Sequence, residues 1–221
     1  MGYSRDERLA LCATLADAGP DAPTLCTGWT TRDLAAHLVL RERRLDAGVG
    51  IPGGPLARHT ARVQEQIARR PFPALVATIR GGPPWLSPWS IAALDELANT
   101  VEFFVHHEDV RRAAPDWKAR EISQGLSDTL WDRLRMARFT LRKVPVGVEF
   151  ARNDDAAGTD SGPGEAPEFR MTARRGTPVV TVTGAPAELT LWAAGRTGAA
   201  KVRLDGTESA TATLTQARWR L

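Results

Sequence analysis

His37, Glu102 and His106 are of types that bind metal ions, and their spacing lets them do so together. Glu102 and His106 stand four apart in NTVEFFVHHEDVRRA, a stretch with helical periodicity. In a helix that spacing puts both side chains on one face, one turn apart. His37 stands in TTRDLAAHLVLRERR, a second amphipathic helix. If the two helices pack on these faces, two imidazoles and a carboxylate converge. Such a set suits zinc or another divalent transition metal and leaves coordination positions open for a ligand or for chemistry. Taken singly, each histidine reads first as a hydrogen-bonded core residue, and E-x-x-x-H alone is a weak signal.

The neighbours of these three carry two readings each. Asp109, three residues after His106, can accept the second ring N–H of that histidine, as carboxylates do for metal-bound imidazoles. It can instead pair with Arg111 or Arg112. Arg41, one turn beyond His37, is a candidate to bind an anionic substrate or to make a salt bridge within the helical core. Asp33, four before His37, reads as a helix cap. His107 points about 100° away from His106 around the helix and is expected to face outward or to support the site. His59 lies in a polar segment and reads as solvated surface. Cys12 and Cys26 are too few and too far apart for a disulfide framework. They read as buried small side chains or partly exposed thiols, and catalysis by the Cys26 thiol is disfavoured.

Several helices must position these groups. Ser4 and Glu7 have capping-box spacing, which predicts a helix to about Ala18 with Leu9, Cys12, Leu15 and Ala16 as its apolar stripe. Thr30 can cap the second helix, with Asp33 at its positive end, and Leu34, His37, Leu38 and Arg41 follow at helical spacing. After the break at IPGGPL comes a polar helix over about 56–70. The Pro- and Gly-rich stretch 71–88 holds at most a short helix around 74–80, and such stretches often wall a site. A long helix over about 90–112 repeats Leu94, Leu97, Val101, Phe104 and Val105. Another over about 123–142 offers Leu126, Leu130, Leu134 and Phe139 as core residues. Four main helices make a bundle the natural packing of residues 1–144.

From about residue 145 the pattern changes. VGVEFAR alternates like a strand, NDDAAGTDSGPGEAP is a polar loop, and EFRMTARR and PVVTVTG read as further strands. APAELTLWAAGR reads as a helix, AAKVRLDG as a short strand, and the tail as a covering helix. The expected fold class is therefore α+β: a helical bundle over 1–144, then a small α+β domain over 145–221 with a mainly antiparallel sheet.

The totals exclude several classes. The chain has 221 residues, 43% of them hydrophobic, and no apolar run long enough to span a bilayer. No signal-peptide pattern opens the N-terminus, so a cytoplasmic protein is expected. The net charge is +3, but acidic residues interleave with the arginines in RDERL, RERRLD and HHEDVRR. A nucleic-acid surface needs a clustered basic patch, so no nucleic-acid partner is expected. Oligomeric state is open: Trp85 or Trp89 could line a pocket, fill a core or form a homodimer contact.

LCTGWTTRDLAAHLVLRE followed by NTVEFFVHHEDVRRA resembles the metal-binding domain of the mycothiol-dependent maleylpyruvate isomerase family, within the DinB-like four-helix-bundle superfamily. Trp29, Asp33, Leu34, His37 and Leu38 match its W-x-x-x-D-L-x-x-H-L signature, and Glu102 and His106 match its later E-x-x-x-H. The resemblance implies that His37, Glu102 and His106 hold a divalent metal, usually taken as zinc. It implies mycothiol as a thiol cofactor and a small electrophile as substrate, by thiol transfer or thiol-assisted isomerisation. GAPAELTLWAAGR resembles the small domain that follows the bundle, in which Arg196 is the candidate substrate contact or else a surface or helix-terminal residue. RRPFPALVATIRGGPPWLSPW is unlike the isomerase itself and suggests an actinobacterial branch of the family with another substrate, or without a thiol cofactor. A metal-dependent hydrolase, or a metal-binding protein without activity, would fit the same residues.

Overall fold

The computed structural model describes residues 2–48, 50–51, 54–85, 87, 90–154, 169–217 and 219. Most of the polar loop at 153–167 and Trp89 lie outside them, as do the side chains at 92–94, Leu94 among them. The chain divides into two compact units, 1–118 and 119–221.

The first unit is helical. Its elements are α1 (Tyr3–Ala18), α2 (Thr31–Arg43), the short α3 (Leu45–Gly48), α4 (Ala57–Ala68), α5 (Phe72–Arg80) and α6 (Ala92–Arg111). α1 packs chiefly on α6, and α2 on α4 and α5. Leu11, Leu15, Leu34, Leu38, Leu75, Ile79 and Phe103 form the centre of the core.

α1 starts differently from the expected capping box. Ser4 and Glu7 are both inside the helix and buried. The Glu96 carboxylate of α6 caps instead, accepting from the backbone N–H of Tyr3 at 3.1 Å and of Ser4 at 3.2 Å. Glu7 and Arg8 take interior positions, so the stripe runs through Leu11, Cys12 and Leu15 while Leu9 is exposed. At α2, the Asp33 carboxylate accepts from both the backbone N–H of Thr30 (2.9 Å) and its hydroxyl (2.8 Å), as the sequence suggests.

α6 carries two inward stripes. Glu96, Thr100, Phe103, His107 and Val110 recur at 4-3-4-3, as do Asp95, Asn99, Glu102, His106 and Asp109. Leu97 falls on neither and is 49% exposed, against the core role its periodicity suggested. His107 is also corrected: it is buried against α1, its Nδ1 3.3 Å from Glu7 Oε2 and its Nε2 2.9 Å from the Thr14 hydroxyl.

The second unit begins before the change of pattern at residue 145. α7 (Gln124–Arg133) packs on α9 (Pro186–Ala193), and the chain then tightens into 3-10 turns at Leu134–Met136 and Leu141–Lys143 around α8 (Ala137–Thr140). Leu134, Ala137 and Leu141 enter the core of the sheet. The inward spacing from Leu126 onward is 4-4-3-4, which leaves Phe139 out of phase and 53% exposed rather than in the core. The hydropathy change at 145 marks the start of strands, whereas the contacts join α7 to the unit that contains those strands.

The sheet has the order β2-β1-β3-β4, with β1 Gly147–Arg152, β2 Arg170–Arg174, β3 Val179–Gly184 and β4 Arg203–Asp205. β1–β2 and β3–β4 are antiparallel, while β1–β3 is parallel, so the sheet is mixed. Val148, Phe150, Val180 and Val182 pack with Leu189, Trp192 and with Leu214 of α10 (Glu208–Gln216). The Trp192 ring meets Phe150 edge-on at 5.9 Å and Trp219 at 4.7 Å.

Glu96→Ala removes the acceptor for two helix-terminal N–H groups and is expected to cost about 1 kcal/mol in chemical denaturation. Phe150→Ala opens a cavity in a fully buried site and is expected to cost about 3–5 kcal/mol of the stability of the second unit.

Candidate metal centre

His37 and Arg41 extend from α2 on one face, and Glu102, His106 and Asp109 from the polar stripe of α6. The backbones of these two helices approach each other little, so long side chains span the gap. His37 Nε2 lies 3.5 Å and His106 Nε2 3.3 Å from the same oxygen, Glu102 Oε1. One ligand atom from each of the three residues lies within 4.8 Å of the others. The two imidazoles meet edge to face, with centroids 5.4 Å apart. Both distal nitrogens thus face one carboxylate oxygen, and a divalent cation fits that donor set.

Arg41 meets both Glu102 and Asn99. Its Nε is 3.3 Å from Glu102 Oε1, and its Nη1 donates to Asn99 Oδ1. Asn99 Nδ2 donates to Asp95 Oδ1 at 2.7 Å. Arg8 reaches the same Asp95 oxygen at 3.2 Å and Glu42 Oε1 at 2.6 Å. A continuous chain of polar contacts therefore links Glu102 to α1. Sequence spacing gave no prominence to Asp95 or Asn99, although five polar residues at 4-3-4-3 on a buried helix are a readable signal.

Asp109 meets His106 and Cys26. Its Oδ2 lies 2.9 Å from His106 Nδ1 and accepts from Cys26 Sγ at 3.2 Å. Arg111 and Arg112 both contact Glu108. The loop before α2 closes on the site: its Trp29 ring lies 5.1 Å from that of His37, and Leu25 N–H donates to Asp109 O at 3.0 Å. Gly28, with φ +80°, lets this loop turn between Cys26 and Trp29.

Charge in the site follows from these partners. Burial opposes ionisation of Glu102, but hydrogen bonds from His106 and His37 and the charge of Arg41 outweigh it, holding the carboxyl well below its usual range. Burial likewise opposes a charged His106. Asp109, Cys26 and Glu102 reverse that and hold its pKa well above the usual histidine value. For His37 burial wins, and its pKa is lowered.

The remaining candidates are more distant in role. Arg196 is in the second unit, where its Nη1 donates to Ala194 O at 2.7 Å at the end of α9. His59 is exposed beside Asp46, as expected. Cys12 is buried with Sγ 3.8 Å from Val76 O. Trp85 is 82% exposed, so it does not fill the core of its unit. Among the described residues no helix is long and apolar enough to cross a membrane.

No curated protein matches the sequence. Two solved structures are similar across most of the chain. One is a histidine-to-alanine mutant of the mycothiol-dependent maleylpyruvate isomerase, with 17% identity, TM-score 0.59, and 92% of this chain and 90% of that one covered. The other is the mycothiol-dependent maleylpyruvate isomerase without that substitution, with 18% identity, TM-score 0.57 and the same coverage. At these identities the likeness is one of fold. The family described as the mycothiol maleylpyruvate isomerase N-terminal domain matches residues 3–137, well over half of the sequence, and the chain belongs to that family.

Proposed function

We propose that this protein is a metal-dependent enzyme that uses a low-molecular-weight thiol, mycothiol, to transfer to or isomerise a small electrophile. The observation that carries the proposal is the convergence of His37 Nε2, His106 Nε2 and Glu102 Oε1 in a chain of this family. The two similar structures are of a mycothiol-dependent isomerase, which supports the thiol.

His37, Glu102 and His106 would hold a divalent cation, zinc being the best match to two imidazoles and one carboxylate. When bound, the cation supplies an acidified thiol or water, and so a nucleophile at neutral pH. The chain's own groups do the rest. Asp109 fixes the His106 ring with Nδ1–H directed at it, leaving Nε2 for the centre. Arg41 pairs with Glu102 and helps to keep it ionised. The Trp29 ring restricts rotation of His37. Arg41 and, from the second unit, Arg196 are the candidate cations for orienting an anionic substrate or the thiol cofactor.

In the metal-free site His106 stands between two carboxylates, both ring nitrogens within hydrogen-bonding range or just beyond it, which favours the imidazolium. His37 is neutral at the same pH. Metal uptake must then displace a proton from His106, so affinity rises with pH and falls as the solution becomes acidic. At neutral pH calorimetry in buffers of different ionisation enthalpy is expected to show about one proton released per ion, not two.

The decisive experiment is elemental analysis of the purified protein beside His37→Ala, followed by adding mycothiol to the cobalt form. About one metal ion per chain, lost in the variant, with a thiolate-to-cobalt charge-transfer band on adding mycothiol, is the expected result. Metal without the band would leave the hydrolytic or purely metal-binding reading. No metal after reconstitution would overturn the centre altogether. Arg196→Ala is expected to weaken use of the thiol or substrate while leaving metal content unchanged, read by steady-state kinetics beside elemental analysis.

A further inference from the structure

Cys26 lies close to the proposed centre, and the function above does not use it. Its Sγ donates to Asp109 Oδ2 at 3.2 Å and lies 4.0 Å from His106 Nδ1. Asp109 is fully buried, and the same Oδ2 receives His106 Nδ1 at 2.9 Å. The thiol and the imidazole therefore meet on one carboxylate oxygen, and the direction of each hydrogen bond constrains the other.

The loop that carries Cys26 is itself held on several sides. Leu25 N–H donates to the Asp109 carbonyl at 3.0 Å, so backbone and side chain of adjacent residues grip one residue of α6. The Thr24 hydroxyl donates to Trp29 O at 2.9 Å, and Trp29 N–H to Cys26 O at 2.9 Å. An isolated bridge joins Pro23 to Thr30 across the loop base. The loop is thus a braced arm between the two ligand helices, with Cys26 reaching α6 and the Trp29 ring against His37 on α2.

We propose that the Cys26 thiol is a positioning group for the metal centre: its S–H, donated to Asp109, holds the carboxylate that orients the His106 ring. This rests on the metal-binding reading above. The thiol has no chemical step of its own. A carboxylate oxygen with a second donor is fixed in rotation about its Cβ–Cγ bond, and a fixed acceptor selects the Nδ1–H tautomer and the plane of the ring. Nε2 is then directed at Glu102 and His37. An S–H is a weak donor, so the contribution lies in direction more than in strength.

The test compares full-length Cys26→Ala and Cys26→Ser with the unsubstituted protein by cobalt titration and by NMR of the His106 ring in the metal-free state. Cys26→Ala is expected to bind cobalt about tenfold more weakly, the lower end of what loss of an outer hydrogen-bond partner costs, with a changed d–d band. Cys26→Ser keeps a donor and is expected to restore both. Cys26→Val fills the thiol volume without a donor and is expected to behave like the alanine variant, which separates donation from packing and serves if that variant fails to fold. Unchanged cobalt affinity and spectrum in Cys26→Val would overturn the proposal. So would a thiolate-to-cobalt band before any thiol is added, absent in Cys26→Ser, because Cys26 would then be a ligand. If the unsubstituted protein takes up no cobalt, the proposed function fails. The NMR arm then decides separately: a shifted His106 Nδ1–H signal in Cys26→Val supports the positioning link, and an unshifted one overturns it.

Discussion

Glu102 is a half-buried carboxylate kept ionised between two helices, and the arrangement around it follows from that requirement. An ion removed from water loses several kcal/mol of hydration, in the range expected for real proteins. It is tolerated only where donors replace the water. Here one oxygen has His37, His106 and Arg41 around it at 3.3–3.5 Å. Two of these donors are anchored in turn: His106 by Asp109, and Arg41 by Asn99, which itself donates to the Asp95 carboxylate that Arg8 also engages. A cation placed among the two imidazoles and Glu102 would substitute for the proton on His106 without dismantling this frame.

The same requirement explains the unequal packing of the first unit. α6 lies close against α1 and α2 close against α4 and α5, which buries the aliphatic residues tightly. Between α2 and α6 the contacts are made by imidazole, guanidinium and carboxylate groups. Long polar side chains need the space that close packing would remove. The loop from Leu25 to Trp29 closes that space on one side, with Cys26 directed at α6 and Trp29 at α2.

The family match runs from residue 3 to 137 and so crosses the boundary between the compact units at 118/119. α7 is shared in sequence terms with the helical half and in packing terms with the sheet. α7 packs on α9, and Leu134, Ala137 and Leu141 just after it complete a core whose other wall is β1, β3 and α9. A helix with one apolar stripe does not state in its sequence which partner will cover it.

The sequence by itself determined the residue types and the short-range geometry. The four-residue step from Glu102 to His106, the Thr30–Asp33 cap and the strands at 147–152, 170–174 and 179–184 are all local, set by helical or pleated repeat and by turn chemistry. Tertiary structure decided what periodicity cannot encode. Leu9 and Leu97 are apolar yet exposed, because buried Glu7, Arg8 and Asn99 found partners on other helices and fixed the rotation of α1 and α6, while Phe139 falls out of phase with the inward residues around it. His107 was drawn inward by Glu7, a hundred residues away in sequence. Asp109 chose His106 and Cys26 because a loop 83 residues upstream delivers the thiol to it. Local spacing sets which side chains share a face; only packing between distant segments sets what that face meets.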